Sequence, residues 1–246
     1  TIRIHQFVLH NSDANLDTAK SDDANMYQFT SGSKDVGDVD GTEVTIVLNK
    51  QDRDGIKSRA ALCTAESDCL LTVRDGAIGD MARLSNPVAA VSDKSISAPH
   101  AYTQDNTPPE IVSLSVDMDV PSADSGVVTI NFDEPVKIES FDITMLRVGV
   151  DKSALSGQAR GSGNSLQVRV DLDAAGVKTL QDALDDVKLN GINVLSGLVA
   201  DAGGKFSLSS FSIQCPVRTG SNQPRLLKYK VDMASQRLSL YFSESI

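Results

Sequence analysis

The mid-chain stretches Pro109-Glu-Ile-Val-Ser-Leu-Ser-Val-Asp-Met118 and Val128-Thr-Ile-Asn-Phe-Asp-Glu-Pro-Val136 return near the C-terminus. There they read Pro224-Arg-Leu-Leu-Lys-Tyr-Lys-Val-Asp-Met233 and Leu238-Ser-Leu-Tyr-Phe-Ser-Glu-Ser-Ile246. The Val-Asp-Met marks are separated by 115 residues and the Phe-x-Glu marks by 110, so the loop 119–125 is longer in the first copy. In each stretch apolar and polar residues alternate: Val128, Ile130 and Phe132 against Thr129, Asn131 and Asp133; Leu238, Leu240 and Phe242 against Ser239, Tyr241 and Ser243. Side chains of a strand point alternately to opposite faces, so each run predicts a strand with one buried face. Val44, Ile46 and Leu48, and Leu166, Val168, Val170 and Leu172, are two more such runs.

The repeat extends outward from these strands. Val44 to Lys57 aligns in kind with Leu166 to Lys178, and each strand leads into a short helical stretch, 53–62 or 173–184. A strand follows near 70–73 or 187–189, then a Gly- and Asp-rich turn, 75–81 or 198–204. Proline fixes φ and donates nothing to a ladder, so Tyr102 to Pro109 and Arg218 to Pro224 mark extended linkers. The fold class expected is all-β: tandem β-sandwiches with a short helix inserted in each repeat.

Residues 105–221 then form one complete domain. Residues 1–104 form a domain lacking its first two strands, and 222–246 are two such strands without a domain. Residues 1–9, Thr-Ile-Arg-Ile-His-Gln-Phe-Val-Leu, read like the continuation that follows Val136. Three arrangements fit: the last strands fold back onto 1–104, complete 1–104 of the next chain, or belong to a longer tandem array. A linker of about seven residues reaches only ~25 Å, whereas a domain of this size is on the order of 40 Å long. That arithmetic favours the second and third arrangements. Burying Leu227, Tyr229, Val231, Leu238, Leu240 and Phe242 would stabilise such a joint by on the order of 10 kcal/mol before ordering costs.

Composition narrows the function classes. The chain has 246 residues, a net charge of −10 and a pI near 4.7. An acidic chain lacks the basic surface that nucleic-acid binding needs. Aromatics are 4% and Trp is absent, which leaves few stacking platforms. No apolar run approaches the roughly 20 residues of a membrane helix. Cys63 and Cys69 are spaced for a small disulfide loop and not for a zinc site, which points to an oxidising compartment; Cys215 is left over, either a buried, inert thiol, the reading favoured, or one bonded to a neighbouring chain. The three histidines, His5, His10 and His100, stand in no catalytic motif, and no phosphate loop or nucleophile elbow occurs. An enzyme is not expected.

Asp105-Asn-Thr-Pro-Pro-Glu-Ile-Val-Ser-Leu-Ser-Val116 and Val-Thr-Ile-Asn-Phe-Asp-Glu-Pro-Val136 resemble bacterial-type immunoglobulin-like repeats, and Phe242-Ser-Glu244 lies closer still to that pattern. Similar repeats occur in large extracellular proteins of protists and algae, including mastigoneme-like filaments. Asp133 departs from the usual Ser, and Gln223-Pro224 from Thr-Pro-Pro. The resemblance implies an extracellular β-sandwich array, adhesive or fibrous, with no catalytic residue.

Oxygen-rich Asp105, Asn106 and Glu134 at the domain entry are candidate ligands for Ca²⁺, the one cofactor considered. Asp52, Asp54, Asp75 and Asp80 form a second acidic group, and Asp171 with Asp173 a third; helix and turn capping is the plainer account of these. No N-glycosylation sequon is present. Thr103 and Thr107 are candidate O-glycosylation sites, and Pro108 and Pro109 candidates for hydroxylation. The expectation is an extracellular structural protein whose partners are copies of itself, joined head to tail. A cell-surface adhesin or carbohydrate-binding module is the alternative.

Overall fold

The computed structural model describes residues 2–11, 24–30, 32, 34–35, 43–80, 86–87, 102–118, 126–219, 226–232 and 237–242. The chain is mostly β, in several antiparallel sheets, with three α-helices among the described residues. The first unit contains β1 (Phe7–His10), β2 (Met26–Gln28), β3 (Lys34–Asp35), β4 (Ile46–Val47), helix α1 (Lys50–Lys57) and β5 (Leu70–Val73). The second contains β6 (Ile111–Asp117), β7 (Gly126–Lys137), β8 (Leu146–Val148), β9 (Ser153–Ala154), β10 (Gly157–Arg160) and β11 (Asn164–Leu172). It continues with α2 (Ala174–Asp182), α3 (Leu184–Asn190), β12 (Ile192–Val194), β13 (Ser210–Ile213) and β14 (Val217–Arg218). A hairpin of β15 (Leu226–Asp232) and β16 (Arg237–Phe242) follows.

The second unit is built as two sheets over one core. One sheet runs β10-β11-β7-β6-β14, antiparallel except for the β14–β6 pair; the other runs β13-β12-β8-β9. Val128, Ile130 and Phe132 of β7, Val168 and Val170 of β11, Leu146 of β8 and Ile192 of β12 point into the space between them. The alternation read from the sequence therefore sets the sheet face. Asp173 caps α2 by accepting from Gly176 N–H at 2.8 Å, and Val177 and Leu180 of α2 join the core. A second, separate core in the first unit gathers Phe7, Tyr27, Phe29, Ile56, Leu62, Val73 and Ala77.

The first unit repeats part of the second, element for element. Its sheet β2-β1-β5 matches β9-β8-β12, and its pair β3-β4 matches β10-β11. α1 follows β4 as α2 follows β11, with Asn49 capping by accepting from Asp52 N–H at 2.7 Å. Aligned on these caps, Val44, Ile46 and Leu48 stand for Val168, Val170 and Leu172, two residues off the alignment taken from sequence but on the same face. Arg3 N–H donates to Ala77 O as Lys137 N–H donates to Ala200 O, and Ile2 bridges Ile78 as Val136 bridges Asp201. Ile2 and Arg3 thus make in the first unit the contacts that Val136 and Lys137 make in the second. No described part of the first unit occupies the place of β6 and β7.

Three sequence expectations need correction. The second helical stretch is two helices, because α3 takes up 187–189, where a strand was expected; Val187 is buried on that helix, and the strand begins at Ile192. α1 starts earlier than residue 53, at Lys50, because Asn49 supplies the cap. Expectations about the loop 119–125, the linker near Pro224, Glu244 and His100 lie outside the described residues.

Candidate functional site

Two places carry candidate function: the joint between the units, and the hairpin β15–β16.

At the joint, α1 lies against the end of β7. Lys50 Nζ donates to Asp133 O at 2.7 Å, and Asn164 Nδ2 donates to Lys57 O at 2.9 Å. Lys57 ends α1 and its ammonium bonds both Asp105, in the linker, and Glu134, in β7. Asp201 enters beside them by its bridge to Val136. Carboxylate oxygens of Asp105, Glu134 and Asp201 lie within 4.8 Å of one another, the one such group of three acidic or metal-ligating residues among those described. Glu134 is 3% exposed and Asp201 2%. Tyr102 holds the linker by donating from its hydroxyl to Cys63 O at 2.8 Å. The Cys63–Cys69 disulfide closes the loop behind it. These residues surround a cavity of about 50 Å³, also lined by Ile56, Ala202 and Gly203.

The electrostatics follow from burial. Desolvation pushes the Glu134 carboxyl above the ordinary glutamate value; Lys57 opposes this, and the neighbouring Asp105 and Asp201 add to it. Burial would raise Asp105 too, but its bonds to Lys57 and Thr107 outweigh that and hold it below its ordinary value. Burial would lower Lys57, yet its bonds to Asp105 and Glu134 leave it raised. One ammonium facing three carboxylates leaves an excess of two negative charges if all ionise.

Of the ligands expected from sequence, the structure brings Asp105 and Glu134 together. Asn106 is exposed, and its amide turns back to donate to Gln104 O at 3.2 Å. Asp201 and Lys57 were not singled out; no local spacing ties Asp201 to Glu134 across 67 residues, and only the fold does. The other acidic groups have local roles. Asp52 Oδ1 accepts from Tyr27 Oη and Thr30 N–H, both at 2.9 Å, which together with burial raises the tyrosine to about 12. Asp54 pairs with Lys50 at 2.6 Å, Asp80 accepts from Asn86, and Asp171 pairs with Arg160. His10 is buried and bonds Asn11 O and Thr72 Oγ1, whereas His5 is exposed. Burial raises the Cys215 thiol to about 11, which leaves little thiolate. Thr103 and Thr107 are exposed, Pro108 is half-buried and Pro109 is buried.

The hairpin repeats β6–β7 pair by pair. Leu226–Phe242, Lys228–Tyr241, Tyr229–Leu240, Lys230–Ser239, Val231–Leu238 and Asp232–Arg237 stand for Ile111–Phe132, Ser113–Asn131, Leu114–Ile130, Ser115–Thr129, Val116–Val128 and Asp117–Val127. Both hairpins have the same irregularity, between the first and second pairs. Leu226 lies opposite Phe242 as Ile111 lies opposite Phe132. Leu114, Val116, Val128 and Ile130 are 0–1% exposed, but Tyr229, Val231, Leu238 and Leu240 are 68%, 53%, 62% and 47% exposed. Among the described residues β15 and β16 pair only with each other, and β4 pairs only with β3. Among the described residues, no strand lies beside the β4 edge that matches the β7-facing edge of β11. Val44 and Val47 next to it are exposed.

Comparisons with protein-family models, curated proteins and solved structures returned no match. Among the described residues no helix is long and apolar enough to cross a membrane.

Proposed function

We propose that this is an extracellular structural protein of tandem immunoglobulin-like sandwiches, joined head to tail by β-strand complementation. The observation that carries the reading is the shared register of β15–β16 and β6–β7, with the apolar face buried in one hairpin and open in the other. An exposed apolar face with a free strand edge drives association. The occupant that fits it is the edge of β4 in another copy of the first unit, because β4 is the counterpart of β11, and β11 is what β7 pairs with. β16 then takes the place of β7, and β15 that of β6.

The mechanism is mechanical. Backbone ladders set the direction of the joint and the alternating apolar residues set its register. The joint between units, with Lys57 bonded to linker and strand, limits bending between successive sandwiches. The Cys63–Cys69 disulfide accords with an oxidising compartment. The test is deletion of 222–246, followed by negative-stain electron microscopy and circular dichroism. The full chain should form filaments or head-to-tail oligomers; the truncated chain should keep the 105–219 unit folded and stay monomeric. Assembly that survives the deletion sinks the proposal.

A further inference from the structure

We infer that Asp105, Glu134 and Asp201 bind a hard divalent cation of the size of calcium, which stiffens the joint between the two units. The inference does not rest on head-to-tail assembly, because all three residues belong to one chain.

The argument starts from an unsatisfied group. Asp201 is 2% exposed, and its Oδ1 accepts from Lys205 N–H at 2.7 Å, but its Oδ2 is buried with no hydrogen-bond partner. A buried carboxylate oxygen without a partner costs stability, and native structures leave few such groups. This oxygen belongs to the cluster in which three carboxylates lie within 4.8 Å of one another. Lys57 engages Asp105 and Glu134 and leaves Asp201 without a cationic partner.

The shape of the place agrees with the charge. A Cβ on Gly203 would stand 3.4 Å from Asp201 Oδ1, 3.6 Å from Asp105 O and 3.8 Å from Asp201 Oδ2, so the glycine leaves room beside two oxygen donors. The adjoining cavity of about 50 Å³ has room for water to complete a shell. Only oxygens converge here, with no imidazole or thiolate among the three ligands, which selects a hard cation over zinc or copper. Calcium is favoured over magnesium because the donors come from three separate segments of the chain, and calcium accepts irregular shells where magnesium demands a near-ideal octahedron.

Lys57 is the internal competitor. Its side chain is 23% exposed, so the ammonium can swing toward water while its stem stays packed. Cation binding then transfers Asp105 and Glu134 from lysine to metal.

The experiment is a calcium titration of EDTA-treated full-length chain, followed by calorimetry and by thermal melting. Wild type should bind one calcium at the joint with a Kd of about 10⁻⁴–10⁻³ M, the range of extracellular modules, and melt at higher temperature when saturated. Asp201→Asn should lose the binding and the shift. Lys57→Met should bind about tenfold more tightly, because a positive charge beside the ion is gone. Terbium offers a second readout, since Tyr102 lines the cavity and can sensitise its luminescence; calcium should displace it. Wild-type protein that neither binds calcium nor shifts overturns the inference, as does Asp201→Asn binding like wild type. Should Asp201→Asn fail to fold, Lys57→Met decides: unchanged or weaker calcium binding overturns the inference.

Discussion

Leu240 holds in β16 the register position that Ile130 holds in β7, yet Ile130 is fully buried and Leu240 is 47% exposed. The two residues hold corresponding positions in their hairpins and differ in what covers them. Ile130→Ala should therefore destabilise the second unit by about 2–5 kcal/mol. Leu240→Ala should change monomer stability by no more than about 0.5 kcal/mol and should weaken assembly. Urea unfolding and sedimentation velocity on the two variants check this. A large loss of monomer stability in Leu240→Ala would mean that the hairpin is already covered within its own chain.

Gly176 in α2 has a backbone neighbour where a side chain would go. A Cβ there would lie 2.1 Å from Ser156 O. In an open helix Gly→Ala stabilises by about 1 kcal/mol. Here the sign should reverse, with Gly176→Ala destabilising by roughly 1–3 kcal/mol because the backbone between β9 and β10 must move. In α1, a Cβ on Gly55 would meet the ring of Tyr27 at 2.3 Å, so Gly55→Ala should destabilise too. Thermal melts of both variants test the packing; a gain in stability at residue 176 would contradict it.

The Cys63–Cys69 bond spans a short loop, with a sequence separation of 6. Loop-closure entropy for so short a ring amounts to about 2 kcal/mol. The double variant Cys63→Ser/Cys69→Ser should lose about that much, and the loss should fall on the first unit. Hydrogen exchange resolved by segment reads it: faster exchange in β5, with β7 and β11 unchanged.

How much of this was legible in the chain can be argued from particular residues. Val128, Ile130 and Phe132 announced a half-buried strand, and the spacing of the Val-Asp-Met and Phe-x-Glu marks foretold the matched hairpins. Val187–Leu189 was misread because the short apolar-polar-apolar triplet Val187-Lys188-Leu189 carries the same local signal in a helix as in a strand. At the joint, Asp105 of the linker and Glu134 of β7 were both read as candidate oxygen ligands. Asp201 was not, since its place depends on the bridge to Val136. Lys57 ends α1 with no local mark that it meets carboxylates; Lys178, which the sequence alignment sets against it, pairs with Asp182 on the surface instead.

The charges at the joint predict a pH profile. Asp105 has a depressed pKa, so its contribution is present above the unfolded value of 3.8 and is lost as pH falls through the folded one. Lys57 has a raised pKa, so its contribution is present below the unfolded 10.5 and is lost as pH rises through the folded value. Glu134 is raised, so its anion costs stability at neutral pH, and that cost is relieved as pH falls through the folded value, above 4.5. In EDTA, mild acidification should therefore stabilise the wild type before Asp105 protonates. Glu134→Gln should abolish that gain, as urea unfolding across pH would show. Parallel profiles for the two proteins would contradict the assignment.

The central claim, that β16 of one copy completes the sheet of another at β4, is tested most directly by a cross-link between chains. Leu238 stands for Val128 and Ile46 for Val170, and Val128 and Val170 are register partners in the second unit. Two chains of different mass would be mixed after denaturation and refolding, both carrying Cys215→Ser, one with Ile46→Cys and the other with Leu238→Cys. The account predicts an oxidised heterodimer whose peptide map joins residues 46 and 238. Absence of that cross-link between chains, with a ready 46–238 bond when both cysteines are placed in one dilute chain, would show that the hairpin folds back and would contradict head-to-tail complementation.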